Sequence, residues 1–566
     1  MIQKLGVMAW QYRSAITVIG APLAASILPL LVDGQAAKCG YVVIVMVIYW
    51  VTEVVPLAVT ALLPILLFPV LGVSSAKEVA ADYLQEPLFL LIGGLNVALV
   101  IEESRLHERI ALHVLLLVGS QRRWVLLGIM CTTAFLSIWI NSTATTATML
   151  PVVEGILREM TCENSDAEIR KDEDSKTFFE GLAAGVVESD RLLSRKRHVS
   201  HKDRQYCKIM LLSVCYAANI GAIATITSAA SNILAVGMIG DLYGKSTGVT
   251  YTTWMAIGVP TAILNVLFAW AWLQWRFCGW RMVLGRDDRD MNMKPMLRDK
   301  LQILGKFRWH ELVTVVLFGF LVALWIFREP GSLVGWGAYF NSGYVTDSSA
   351  AVLVMLLFFV VPREWPACTC IENQDSNARK SLLDWPTVES KLPWGVILLT
   401  GGSLAMATAI EKSGLSRIFG DYLSGLCILP PSVICLFILL LGAYSTEVCS
   451  NAAVVSVLVP IMARLAADLT VHPLYFILSA AIGVNYAFML PVSTAPNALV
   501  YSYSKGLLKV PEMAFSGLIM NLLAVIGAYL VMNTVAVVVF QLGDYPAWAP
   551  SAGGNASDLV NWTITN

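Results

Sequence analysis

Long apolar runs constrain this chain more than any other feature. Stretches of about 18 or more mostly apolar residues recur along it between short polar loops, the spacing of helices that cross a bilayer of about 30 Å. Examples are 15–32, 254–275, 312–327, 351–361 with its flanks, and 518–541. A soluble core does not need them, because its helices bury only one face. Charged residues make up 14% of the chain, against about 25% in soluble domains. The expected fold is all-α and integral to a membrane, with about eleven crossings. The run 15–32 is longer than the apolar core of a signal peptide and lacks a clear cleavage site, so it reads as the first membrane helix.

The net charge of −1 gives nucleic acid no overall basic attraction, and none is expected as a partner. Eleven cysteines are scattered; Cys368 and Cys370 stand two apart without a second pair at metal spacing. That pattern argues against a zinc site or a disulfide framework.

Basic residues sort by loop. Segment 276–308 holds nine Lys/Arg against four Asp, and 158–208 carries both signs and includes Arg195, Lys196 and Arg197. Both read as cytoplasmic, whereas 33–40 and 329–349 are nearly free of Lys/Arg and read as external. Glycosylation sequons begin at Asn555 and Asn561. They require an external C-terminus, hence an odd number of crossings from a cytoplasmic N-terminus. A third match, Asn141-Ser142-Thr143, lies in an apolar stretch out of reach of glycosylation.

The chain also repeats itself. Gly93 precedes Glu103 by ten residues, and Gly401 precedes Glu411 by ten, an offset of 308. Asn141 precedes Pro151 as Ser450 precedes Pro460, an offset of 309. A third pair aligns Asn232 with Asn497, at an offset of 265, because the charged insert near 160–205 lies in the first half only. Two homologous halves separated by an odd number of crossings sit in opposite orientations, an architecture of secondary transporters.

Four polar clusters interrupt apolar runs. Asn141-Ser142-Thr143 and Ser450-Asn451 each lie between flanks too short for full crossings, which predicts the tips of two re-entrant helical hairpins. The clusters 227–232 and 493–497 lie inside long runs and predict unwound breaks, the second containing Pro496. Unwound backbone at membrane depth is tolerated where it is buried in protein or lines a wet cavity. Its free carbonyls, with Ser, Thr and Asn oxygens, suit a hard cation, and the helix N-termini that follow suit an anion. The apolar segments hold almost no Lys or Arg. An anionic substrate would then need a cation bound beside it. Taken singly, each cluster also fits polar bridging between packed membrane helices.

Glu53, Glu103, Glu411 and Glu447 lie in or near apolar runs, and carboxylates there are functional candidates. Glu447 is placed to orient the second tip or to carry a proton, whereas Glu103 and Glu411 read as helix ends. His107 and His113 have no evident partner. An intramembrane enzyme with Ser142 or Ser450 as nucleophile needs a His or Asp base at the same depth, and no His lies in the apolar runs near either tip. An ion channel is a further possibility, against which the repeat favours alternating access.

The stretches 137–147, 49–60 and 487–492, and the ending 544–549, resemble the divalent-anion/sodium symporters of solute carrier family 13 over nearly the whole chain. The resemblance implies a homodimer in the plasma membrane, working by an elevator motion of a transport domain (121–252 and 393–515) against a scaffold (1–120 and 253–392), with 516–566 forming the last helix and an external tail. It implies import of di- and tricarboxylates such as succinate and citrate, with sodium as the coupling ion and no other cofactor. Sulfate is the alternative substrate, and sodium-independent exchange the alternative mode. Asn141, Ser142, Thr143, Ser450, Asn451, Thr227 and Thr494 are then expected on the substrate. Ser137, Asn141, Ser142, Ser228, Asn232, Thr446, Asn451, Thr494 and Asn497 are expected on sodium. Three departures bear on this. The first tip reads Asn141-Ser142 where the family reads Ser-Asn. Ala452 stands where relatives carry Thr or Val. Ser228 replaces a glycine, a costly exchange where positive φ or close approach to an ion is needed.

Overall fold

The computed structural model describes residues 13–52, 54–117, 121–161, 186–187, 197–198, 201–278, 294–329, 334–341, 344–364, 381–415, 418 and 429–549. Glu53, Arg195, Lys196, Cys368, Cys370, Asn555 and Asn561 lie outside them.

The principal helices in the first half are α1 (Arg13–Ala25), α2 (Gln35–Thr52), α3 (Leu63–Leu71), α4 (Glu86–Glu103), α5 (Leu106–Leu117), α6 (Arg122–Trp139), α7 (Ser142–Thr161), α8 (His201–Gly221), α9 (Ala230–Tyr243) and α10 (Tyr251–Cys278). They continue with α11 (Trp309–Arg328), α12 (Asp347–Val360), α13 (Trp394–Lys412), α14 (Pro431–Ser445), α15 (Asn451–Asp468), α16 (Pro473–Gly483), α17 (Ala495–Tyr503) and α18 (Val510–Asn533). Among the described residues the only strands are Val186–Val187 and Arg197–His198, paired antiparallel. Among the described residues seven helices are long and apolar enough to cross a membrane, and five shorter apolar ones accompany them. On α11 large apolar side chains point outward, with Val316 and Phe327 each 59% exposed. A soluble protein would bury such a stripe; lipid solvates it.

Prolines mark several helix starts. Pro87, Pro431, Pro473, Pro496 and Pro511 sit in the first turn of α4, α14, α16, α17 and α18, where a missing N–H costs nothing. The repeat landmarks Pro151 and Pro460 lie inside α7 and α15.

Contacts fix the sense of each unit. In the first half α6 and α8 run side by side, with the Tyr206 hydroxyl on Arg122 O at 2.8 Å and the Ser137 hydroxyl on Ala218 O at 2.6 Å. In the second half α14 and α16 do the same, with Cys435 Sγ 3.2 Å from Ser479 Oγ and Gly442 against Gly483. The rod α8–α9 ends at Tyr243, whose ring meets Trp548 at 5.1 Å, and Trp548 in turn meets His472 at 5.4 Å, just ahead of α16. The rod α16–α17 ends at Tyr503, which donates to Glu154 of α7. The two units therefore run in opposite senses. Helix α7 packs against α17, and α9 against α15, so each half's helices lie against the other's.

Candidate substrate and cation site

Each tip is a helix cap. Between α6 and α7, Asn141 Oδ1 accepts from Thr143 N at 2.8 Å. Ahead of α15, Ser450 Oγ accepts from Ala453 N at 3.3 Å. Asn141 and Ser450 occupy the same repeat position, and both are strong N-caps. The exchanged order at the first tip thus leaves its capping intact. Asn141 is exposed, and Ser142, Thr143, Ser450 and Asn451 are half-buried, inside a surround that is mostly buried. Thr446 donates to Asn451 Oδ1 within the second tip, whereas Ser137 is turned to the Ala218 carbonyl.

The breaks begin earlier than the polar clusters suggest. The helical ladder stops after Gly221 and after Gly483, and it resumes at Ala230 and Ala495. Ser231, Asn232, Pro496 and Asn497 are consequently helical. The reason is capping chemistry: side chains in the first turn of the new helix satisfy carbonyls left free by the old one. Asn232 Nδ2 donates to Ala222 O and Thr225 O, both at 2.9 Å. Asn497 Nδ2 donates to Ala487 O at 2.9 Å and Leu490 O at 3.1 Å, and to Ser493 Oγ at 3.0 Å. The backbone acceptors lie ten and seven residues upstream in both halves.

Ser228 is not among the described residues with positive φ, so the exchange from glycine brings no such strain. Its hydroxyl donates instead to the same two carbonyls, Ala222 O at 2.6 Å and Thr225 O at 2.7 Å. Thr227 Oγ1 lies 3.0 Å from Tyr251 Oη, and Thr494 Oγ1 accepts from Asn219 at 3.2 Å.

Two features have no counterpart in the sequence motifs, and a third, the candidate Glu447, has partners that the motifs do not show. Asn219 and Asn485 precede Asn232 and Asn497 by 13 and 12 residues, a fourth repeat landmark, and both are nearly fully buried. Glu447 stands just ahead of the second tip and grips the second break. Its carboxylate accepts from Phe488 N, Met489 N and Leu490 N at 2.8, 2.9 and 3.1 Å, and from Asn521 Nδ2 at 2.8 Å. Gly258 of α10 and Gly517 of α18 each let a helix lie directly on the backbone of a break. The other candidates have local roles. Glu103 pairs with Lys391, Glu411 lies in the last turn of α13, and His107 and His113 lie at 3.0 and 2.7 Å from the carbonyls of Ile101 and Arg109.

Helices α7, α9, α15 and α17 all begin at a tip or a break, and they pack in the pairs α7–α17 and α9–α15. Their N-termini offer N–H groups and positive partial charge. No Lys or Arg stands within ten residues of either tip or either break. Polar backbone, hydroxyls, amides and the Glu447 carboxylate are the polar groups that the tips and breaks bring together.

An all-α membrane transporter is the class this fold defines. The solved structures agree at the level of fold. The chain aligns with Neisseria gonorrhoeae MtrF, described as one of a class of antimetabolite efflux pumps, at a TM-score of 0.50 and 13% identity, over 92% of this chain and 98% of that one. It aligns with the Alcanivorax borkumensis YdaH transporter at a TM-score of 0.50 and 10% identity, over 83% and 89%. The profile of the family described as "Sodium:sulfate symporter transmembrane region" matches residues 7–542. The chain belongs to this family of symporters, solute carrier family 13, and is not an enzyme. It is 36% identical to the rat Na(+)/citrate cotransporter, over 95% of this chain and 97% of the relative. It is 36% identical to human solute carrier family 13 member 2, over 96% of both chains. It is 35% identical to the mouse Na(+)/dicarboxylate cotransporter 3, over 99% of this chain and 98% of the relative.

Proposed function

We propose that this protein imports di- and tricarboxylates, succinate and citrate among them, with sodium as the coupling ion. The two capped tips without a nearby Lys or Arg carry this reading. A multivalent carboxylate there meets helix N-termini and Asn and Ser side chains, and neither tip has a Lys or Arg within ten residues. Sodium held by carbonyl, amide and hydroxyl oxygens supplies the missing charge. Asn141, Ser142, Thr143, Ser450 and Asn451 would hold the substrate with Thr227 and Thr494. The first cation would lie between Ser137, Asn141, Ser142 and Asn232, with the Ser228 hydroxyl, expected on the ion, turned instead onto the carbonyls of Ala222 and Thr225, and the second between Thr446, Asn451, Thr494 and Asn497. The relatives named for citrate and dicarboxylates support this substrate class.

The same proposal takes α6–α7 and α14–α15 as re-entrant hairpins that, with the two broken helices, form a transport domain. This domain moves like an elevator past a scaffold, in a homodimer of about eleven crossings per chain. The N-terminus is cytoplasmic, and the C-terminus external, at the plasma membrane. Uptake of radiolabelled citrate, succinate and sulfate, in sodium and in choline medium, tests the reading. Carboxylate uptake that collapses in choline is expected. Sulfate uptake alone refutes the substrate class, and equal rates in the two media refute coupling.

The Ser228 hydroxyl competes with a cation for Ala222 O and Thr225 O. Ser228→Gly removes that competitor. The sodium concentration for half-maximal uptake is therefore expected to fall about threefold, equivalent to ~0.65 kcal/mol. Sodium titration of uptake measures it, and an unchanged or raised value removes these carbonyls from the first site.

A further inference from the structure

The two breaks are stitched to each other, and the stitching is crosswise. Asn485 closes α16, at the mouth of the second break, but its side chain serves the first. Its Nδ2 donates to Asn232 Oδ1 at 3.0 Å, and its Oδ1 accepts from Ser231 Oγ at 3.0 Å. Its remaining N–H goes to Ala481 O at 2.8 Å, so the amide is fully used. Asn219 closes α8, at the mouth of the first break, and serves the second. Its Nδ2 lies 3.1 Å from Ala487 O, 3.2 Å from Thr494 Oγ1 and 3.3 Å from Asn497 Oδ1. Asn219, Asn232, Asn485 and Asn497 are 4%, 0%, 3% and 0% exposed.

The contacts run in series. Asn232 holds the carbonyls of the first break with its Nδ2 and meets Asn485 with its Oδ1. Asn497 holds the carbonyls of the second break with its Nδ2 and meets Asn219 with its Oδ1. A cation that draws on the carbonyls of one break changes how its asparagine is held, and the partner at the mouth of the other break must follow. In this buried setting an amide left unpaired costs about 1–3 kcal/mol, so the network resists moving one break alone. The two arms also differ. Asn485 makes each of its bonds to a separate acceptor or donor, whereas Asn219 shares two N–H groups among three acceptors at longer distances.

We propose that Asn219 and Asn485 are positioning residues that couple occupancy of one cation site to the other. They touch neither substrate nor ion. The inference rests on the proposed function, in which each break contributes to one sodium site.

Asn485→Ser and Asn219→Ser shorten the side chains so that they no longer reach across, and Ser231→Ala removes only the hydrogen bond to Asn485. Two measurements are made on the full-length protein: sodium activation of citrate or succinate uptake, and stabilisation of the purified protein by sodium without substrate. The wild type is expected to show sigmoidal activation. Both serine variants are expected to drop to a Hill coefficient near 1, with the half-saturating sodium concentration raised about fivefold or more. Carboxylate KM at saturating sodium is expected to stay within about twofold of the wild type. Ser231→Ala shifts the same way by less, and it decides the question if the serine variants fail to reach the membrane. Hyperbolic activation in the wild type overturns the two-site reading and the coupling with it. Sigmoidal activation that persists unchanged in the variants overturns the coupling alone, even where their stability without sodium is lowered.

Discussion

Glu447→Gln is expected to reduce carboxylate uptake more than tenfold and to lower the melting temperature of the purified protein. Glu447 is 4% exposed, and its two oxygens accept from three successive backbone N–H groups and the Asn521 amide. None of the described ion pairs gives it a basic partner. Its charge is stabilised by dipoles, as a carboxylate at a helix N-terminus is. A glutamine keeps one acceptor oxygen and turns an NH2 group toward N–H donors that are already present. At least one backbone N–H then loses its partner, at a cost of about 1–3 kcal/mol, and the second break moves. The donor set also bears on the alternative role of proton carrier. Both oxygens are engaged by N–H donors that fix the second break, which is the arrangement of a clamp. Glu447→Asp keeps the acceptors but shortens the reach, and intermediate uptake is expected. Uptake normalised to surface expression, with a thermal melt, measures both. Wild-type rates in Glu447→Gln would discard the clamp.

Gly517→Ala is expected to be comparably severe, although it touches no polar group. A Cβ at this position falls 2.2 Å from Phe488 O, 2.4 Å from Phe488 C and 2.5 Å from Met489 Cα. All three are backbone atoms, so no side-chain rotation relieves the clash. Helix α18 must withdraw, or the break that Glu447 holds must shift. Overpacking of this kind costs about 1–3 kcal/mol, and the displaced segment leads to Thr494 and Asn497 of the proposed second cation site. Uptake is expected to fall more than tenfold. Gly258→Ala, with a Cβ 2.7 Å from Ile223 O and Ala224 O, does the same to the first break less sharply. Gly319→Ala, which meets nothing within 4 Å, is the control and is expected to transport normally. Uptake by the three variants at matched surface expression ranks them. A fall in Gly319→Ala equal to that in Gly517→Ala would show that close packing is not the cause.

Features with a periodic or compositional signature are legible in the sequence. Apolar runs announce helices in lipid because a span needs about 20 residues. The tips announce themselves because Asn141-Ser142 and Ser450-Asn451 interrupt such runs. The breaks are harder to position, because Asn232 and Asn497 act backward from the helix that follows, so the polar letters sit after the unwound backbone they satisfy. Asn219 and Asn485 escape notice because a lone Asn in an apolar helix reads as ordinary interhelical bridging. Glu447 stands out as a carboxylate, but its partners are mainly backbone N–H groups, which no side-chain pattern encodes. Gly517 and Gly319 are alike as letters and differ only in what lies opposite.

The crosswise pairing of Asn232 with Asn485 also sets an order on biosynthesis. A nascent chain is inserted from its N-terminus, and α8, α9 and the first break are made well before residue 485 leaves the ribosome. Throughout that interval Asn232 Oδ1 lacks the donor that later satisfies it. Neither half holds the complement for its own middle, so a chain stopped before α16 has an unfinished centre however well its helices insert. The centre of this carrier is therefore completed only once the second half is present.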